Sequence, residues 1–149
     1  MVIEDSKEQL TLEQINNVET RIGFTLPNDY KNFLLNHNGG IPTPNEFKFI
    51  NTNNESSNSL EDFFHSIFEE NGEGNLERKY IYLTNSNRII GNILPIASDP
   101  FGNFVCISLD GEDKGKVYFW DHELEPEEPS YENLSLIANS FSEFLNNLE

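Results

Sequence analysis

Cysteine is almost missing from this chain. Cys106 is the only one, so no internal disulfide can form and a reducing compartment is the expected setting. Long apolar runs are missing as well: no stretch approaches the ~20 residues that a membrane-spanning helix needs. Met1-Val2-Ile3-Glu4-Asp5 opens on acids and not on the hydrophobic region of a secretory signal, so a cytoplasmic location is expected. Positive charge is scarce: nine Lys and Arg stand against 26 Asp and Glu, a net charge of −17 at pH 7. The deficit is uneven. No Lys or Arg occurs from Phe49 to Glu77, where seven acids sit, nor after Lys116, where eight more follow. Such a field repels nucleic acid and anionic membrane and draws basic partners in at enhanced rates. Lys114-Gly115-Lys116 lacks both the upstream glycine spacing and the Ser/Thr of a phosphate-cradling loop. No internal repeat and no dividing linker is visible, so the expected organisation is one domain over residues 1–149 with its core at about 11–148.

What the chain does have is aromatic bulk and clear local signals. The plainest stretch is Ile93–Glu123. Phe104–Leu109 and Val117–Trp120 are short β-branched and aromatic runs separated by the polar, glycine-bearing Asp110–Gly115, which reads as a hairpin. Ile93-Leu94-Pro95-Ile96-Ala97 reads as a strand before them, and Asp99–Asn103 as the turn between. Thr11-Leu12-Glu13-Gln14 has the form of a capping box. Leu12, Ile15, Val18 and Ile22 follow at helical spacing up to Gly23. Pro27, Asn28 and Asp29 open a second helix carrying Tyr30, Phe33, Leu34 and Leu35, which Asn38-Gly39-Gly40 ends. Phe47–Ile50 reads as a strand and Asn51–Ser59 as an Asn/Ser-rich surface loop. The spacing of Leu60, Phe63, Phe64, Ile67 and Phe68 predicts a third helix from Ser59, broken at Asn71–Asn75. Leu76–Asn87 fits a helix through Leu76, Tyr80 and Leu83, or a strand through Tyr80–Leu83; helix is preferred. Ser130 is expected to start a last helix with an apolar stripe of Leu134, Ile137, Ala138, Phe141, Phe144, Leu145 and Leu148. The fold class is therefore α+β: a mixed or antiparallel sheet flanked by N-terminal helices and a C-terminal helix.

Catalytic and metal chemistry finds little purchase. Cys106 could be paired with His37, His65 or His122, but a thiol inside an apolar strand has a raised pKa and is inert. Asp121, His122 and Glu123, with Asp99, could be drawn as metal ligands, yet consecutive strand residues point to opposite faces. Asp110–Gly115 lacks the spacing of a calcium loop. No catalytic residue, cofactor or metal is expected.

A set of segments in fixed order resembles the SUKH superfamily, also called Smi/Knr-type domains after fungal regulators of cell-wall glucan synthesis. They are Ile22–Leu34, His37–Pro42, Ile93–Ala97 with Asp99 and Gly102-Asn103, Gly115–Glu123, and Ile137–Leu145. The resemblance implies an α+β fold and a non-enzymatic role. For bacterial members that role is immunity, the binding and blocking of a cognate polymorphic toxin that is often a nuclease. For fungal members it is a regulatory scaffold in cell-wall signalling, which stands as the alternative. Combined with the charge, the implied partner is a basic toxin domain, with no nucleic acid and no membrane, and the protein itself a monomer or weak dimer. The candidate contacts are Glu69, Glu70, Glu73 and Glu77 in one cluster and Glu123, Glu125, Glu127 and Glu128 in another. Tyr131, Tyr118 and Trp120 are the candidate aromatic anchors.

Overall fold

The computed structural model describes residues 1–51, 53–70 and 72–149. Thr52, in the predicted Asn/Ser loop, Asn71, at the predicted helix break, and the Leu60 side chain, in the predicted third helix, lie outside the described residues. The elements run β1 (Val2–Glu4), α1 (Leu12–Ile22), α2 (Asn28–Asn36), β2 (Ile41–Thr43), β3 (Glu46–Ile50), β4 (Ser56–Leu60), β5 (Phe63–Phe64), α3 (Leu76–Asn85), β6 (Ile93–Ser98), β7 (Phe104–Ser108), β8 (Val117–Trp120), β9 (Leu134–Ala138) and α4 (Phe141–Asn146), with a single 3-10 turn at His122–Leu124. The architecture is α+β, and every named strand pair is antiparallel.

The central sheet has five strands in the order β5-β6-β7-β8-β9; β1-β2 and β3-β4 are separate pairs. Alternate residues of β7 and β8 divide between two apolar clusters, as the two-residue period of a strand requires. Val105, Ile107, Val117 and Phe119 face Ile15, Val18, Tyr30, Phe33, Leu34, Phe141 and Phe144 from α1, α2 and α4. Cys106 and Trp120 face the other way, with Ile93, Leu134, Leu83 of α3 and Ile89. Both faces of the sheet therefore carry buried apolar side chains, but they are covered by different material.

Local chemistry explains the helices. Thr11 Oγ1 accepts from Gln14 N while Gln14 Oε1 accepts from Thr11 N, so the capping box is complete, and Gly23 closes α1 at φ 85°. α3 is a helix, with Asn75 accepting from Arg78 N as its cap. Asn75 also donates to the carbonyls of Phe68 and Glu70, which fixes the segment before it. Gly40 is required for a different reason. A Cβ there would sit 2.5 Å from Glu4 O, where β1 crosses the start of β2.

One predicted helix is not formed and another is shortened. The segment predicted to run as a helix from Ser59 is extended: Ser56–Leu60 pairs with β3, and Phe63–Phe64 pairs with β6 as the sheet's edge. Part of the predicted Asn/Ser loop is accordingly strand. The helix predicted from Ser130 begins only at Phe141, because Leu134–Ala138 pairs with β8. In both places pairing to a strand distant in sequence overrides a helix-like apolar spacing. The β1-β2 pair carries no sequence signal that was read as strand.

Candidate partner-binding surface

The second sheet face is crossed by a loop. Between β8 and β9 the chain leaves at Asp121 and returns at Asn133, and its ends are tied together. Asp121 N donates to Asn133 O at 3.1 Å, and Asn133 Nδ2 donates to Asp121 O at 3.0 Å. This is an Ω-type loop. It is strapped to the segment that follows α3 at three points: Arg88 binds Glu125 through Nε and Nη2 at 2.9–3.3 Å, Asn87 Nδ2 donates to Glu128 Oε2 at 3.1 Å, and Asn92 Nδ2 donates to the Tyr131 hydroxyl at 3.0 Å. Arg88 also lies over the Trp120 ring, 5.4 Å from its centroid. One guanidinium thus holds the loop and roofs the core beneath it.

The predicted contacts separate on this geometry. Trp120 is 1 % exposed and presents no surface to a partner. Glu77 is engaged by Arg21, whose Nε bonds both carboxylate oxygens at 2.8 and 2.9 Å, and Glu125 is engaged by Arg88. Glu69, Glu70, Glu73, Glu123, Glu127 and Glu128 are exposed. Among the described residues no hydrogen bond or ion pair joins the two predicted clusters: Glu69 and Glu77 border a trough with Gln14, Arg21, Phe68 and Arg78, while the second cluster lies on the Asp121–Asn133 loop.

Tyr118 and Tyr131 are drawn together by a residue the sequence reading passed over. Asp113, in the β7-β8 hairpin, accepts from both tyrosine hydroxyls at 2.8 Å and from Ser108 Oγ at 2.9 Å. Burial alone would raise the Asp113 carboxyl; the three hydroxyl bonds outweigh it and hold the group below its ordinary value. Partial burial, and then the bond to Asp113, push the Tyr118 hydroxyl up. No spacing rule marks Asp113, because its role depends on Tyr131, 18 residues away.

The residues considered for chemistry are occupied elsewhere. Cys106 is buried and its thiol is pushed well up by desolvation. His65 is fully buried; Nδ1 donates to Pro95 O at 3.1 Å and Nε2 accepts from Ser98 Oγ at 2.9 Å, which assigns the neutral tautomer, and burial depresses its pKa to about 4. His37 caps α2 with its ring beside Phe33. His122 joins a polar chain: its Nδ1 donates to Asn103 Oδ1 at 2.6 Å, and Asn103 Nδ2 and Ser59 Oγ donate to Asp99 Oδ2 at 2.9 and 3.1 Å. Asp99 Oδ1 takes the backbone N–H groups of Phe101 and Asn103 as well, so this chain locks the β6-β7 turn to β4 and to the 3-10 turn. Asp121 caps that turn through Glu123 N. Among the described residues, no three His, Cys, Asp or Glu side chains converge in a geometry that would hold a metal ion, and no helix is long and apolar enough to cross a membrane.

The Asp99–Asn103 turn, the Gly39-Gly40 approach and the Ser140 cap of α4 fall in the segments on which the resemblance rests, and comparison with known proteins agrees. A SPbeta prophage-derived uncharacterized protein of Bacillus subtilis (strain 168), YokK, is 33% identical over 150 aligned residues, covering 91% of this chain and 72% of the relative. YnaB, an uncharacterized protein of the same organism, is 48% identical over 33 residues, 22% of this chain and 23% of its own. The profile of one family matches residues 9–147, which takes in every helix and all five strands of the central sheet. By that match the chain belongs to the SMI1 / KNR4 family (SUKH-1).

Proposed function

We infer that this protein is an immunity protein that binds a basic toxin domain and occludes it, its carboxylates standing where the toxin's anionic substrate would. The observation that carries the reading is the Asp121–Asn133 loop. It bears Glu123, Glu127, Glu128 and Glu132 at the surface, on a segment of chain without a single Lys or Arg after Lys116, and it is pre-shaped by three ties to the body. A loop held in this way loses little further freedom on binding. Its exposed acids set association rate and salt dependence more than they set affinity. The immunity role known for the family and the prophage origin printed for one relative support the same reading. Binding is the mechanism this reading assigns, since the exposed charged groups of the loop are carboxylates.

Co-expression with the product of the adjacent gene tests this. The expected outcome is rescue of growth and a complex that survives purification, with association slowed roughly tenfold by Glu123→Lys with Glu127→Lys at low salt. No rescue and no complex would remove the reading.

A further inference from the structure

Part of the second sheet face is roofed and part is not. Lys79 and Arg88 lie 5.4 Å over the rings of Phe104 and Trp120, and Leu83, Ile89 and Ile90 fill in beneath them. Towards the outer strand that cover stops. Tyr118 and Leu136 stand directly opposite each other across β8 and β9, so both point to this face. The Tyr131 ring folds in beside Tyr118, centroids 5.7 Å apart and nearly perpendicular. Tyr131 is 42% and Leu136 41% exposed. Three adjoining apolar side chains thus lie open on a face whose other half is packed.

We propose that this island of Tyr118, Tyr131 and Leu136 is the docking surface for a cationic segment of a protein partner, an Arg or Lys stem lying across the tyrosine rings. The proposal rests on the immunity reading and locates its contact. Three observations carry it. The rings are set before any partner arrives, since Asp113 and Asn92 already satisfy both hydroxyls. Rigid aromatic side chains of this kind give large contact area at low ordering cost. Asp113 has three donors and is therefore a pin, not the acid that meets the partner.

The charge around the island chooses the partner. Asp110 and Glu112 in the adjoining hairpin and Glu132 beside Tyr131 are exposed, and among the described residues none of them is in an ion pair. Asp110 and Lys114 both line a cleft with Asn16, Glu19 and Thr20 of α1, and Lys116 directly precedes β8, the strand that carries Tyr118. An acidic partner is repelled by this rim, and a cation is drawn both to the rim and to the ring faces.

The test uses the product of the adjacent gene as the probe, with binding measured at two salt concentrations. Tyr131→Ala and Leu136→Asp are each expected to weaken the complex about tenfold or more, as truncation of a central anchor does. Tyr131→Phe, which keeps the ring and loses only the pin, is expected to weaken it less. Urea midpoints within error of the wild type exclude misfolding as the cause. A complex that forms with both strong variants at unchanged affinity overturns this surface and leaves the immunity reading standing. Absence of any complex with the wild-type protein overturns both.

Discussion

The two faces of the central sheet are built from alternate residues of the same strands, yet they differ in kind. The face toward α1, α2 and α4 is a continuous apolar core in which Phe47, Phe49 and Phe119 stack, and Phe33, Phe64, Phe141 and Phe144 crowd together. The face toward α3 is smaller. It is roofed by cations and by an acidic loop, and it ends in open tyrosines. The larger apolar burial lies on the first face, where aromatic and aliphatic side chains pack on one another and the unbonded Glu61 carboxyl and Tyr30 hydroxyl are exceptions. The surface proposed for recognition lies on the second, where the cover is polar, tied at a few points and incomplete. A family can keep the first face and rebuild the second without losing its fold.

The sharpest way to break this comparison is to damage the first face. Phe119→Ala removes a nearly buried ring packed at 4.3 Å from Phe49, and is expected to cost about 3–5 kcal/mol by urea unfolding. An equal loss from truncating Tyr131 would show that the faces do not differ.

Next in size is a pH effect from two buried groups that titrate in opposite senses. His65 has a folded pKa of about 4 against an ordinary 6.5. The stability it contributes is complete above about pH 6.5 and is lost as pH falls through 4, by up to roughly 3 kcal/mol. Glu61 is fully buried with neither carboxylate oxygen bonded among the described residues, and the Tyr30 hydroxyl, which feels its charge, is also unbonded among them. Burial raises Glu61 well above 4.5. Its contribution is therefore complete below about pH 4.5 and is lost as pH rises through the folded value, at up to about 1.4 kcal/mol per pH unit. In Glu61→Gln, unfolding midpoints are expected to climb from pH 4 to 6.5 and then level, while in the wild type the Glu61 loss that sets in above about pH 4.5 opposes that climb. Superimposed profiles would show that Glu61 is not held as a neutral acid.

A smaller effect is expected at the strap. Arg88→Ala removes the bond to Glu125 and the contact over Trp120, for about 1–2 kcal/mol. Limited proteolysis within Asp121–Asn133 is expected to accelerate by more than global stability accounts for. The smallest expected signal is at Cys106: a thiol-reactive probe is expected to leave native protein unlabelled and to react at once in urea.

Much of the fold was legible because its signals are local. The Thr11–Gln14 box, the Gly23 stop and the Asp110–Gly115 hairpin each declare themselves within a few residues. The two failures are instructive. Leu60, Phe63, Phe64, Ile67 and Phe68 carry a helical period by coincidence, since Phe63-Phe64 is recruited as a sheet edge by Ser98 and Ala97. At the other end, β9 followed directly by α4 reproduces one continuous apolar stripe. The boundary is set at Ser140, whose Oγ accepts from Glu143 N at 3.1 Å. The candidate site was legible only as a list of acids and aromatics.

By itself the sequence determined the excess of negative charge, its absence of relief after Lys116, the helices with good caps and the central hairpins. Each of these follows from composition or from interactions spanning one turn of chain. Only the tertiary structure decided which carboxylates are free and which aromatics are open. Glu77 is taken by Arg21, 56 residues away, and Glu125 by Arg88, 37 away. Trp120 is sealed while Tyr118, two positions earlier on the same face, stays half open, because the roof from α3 stops between them. Pairing and burial are set by neighbours that folding brings in from distant parts of the chain, and no local pattern encodes them.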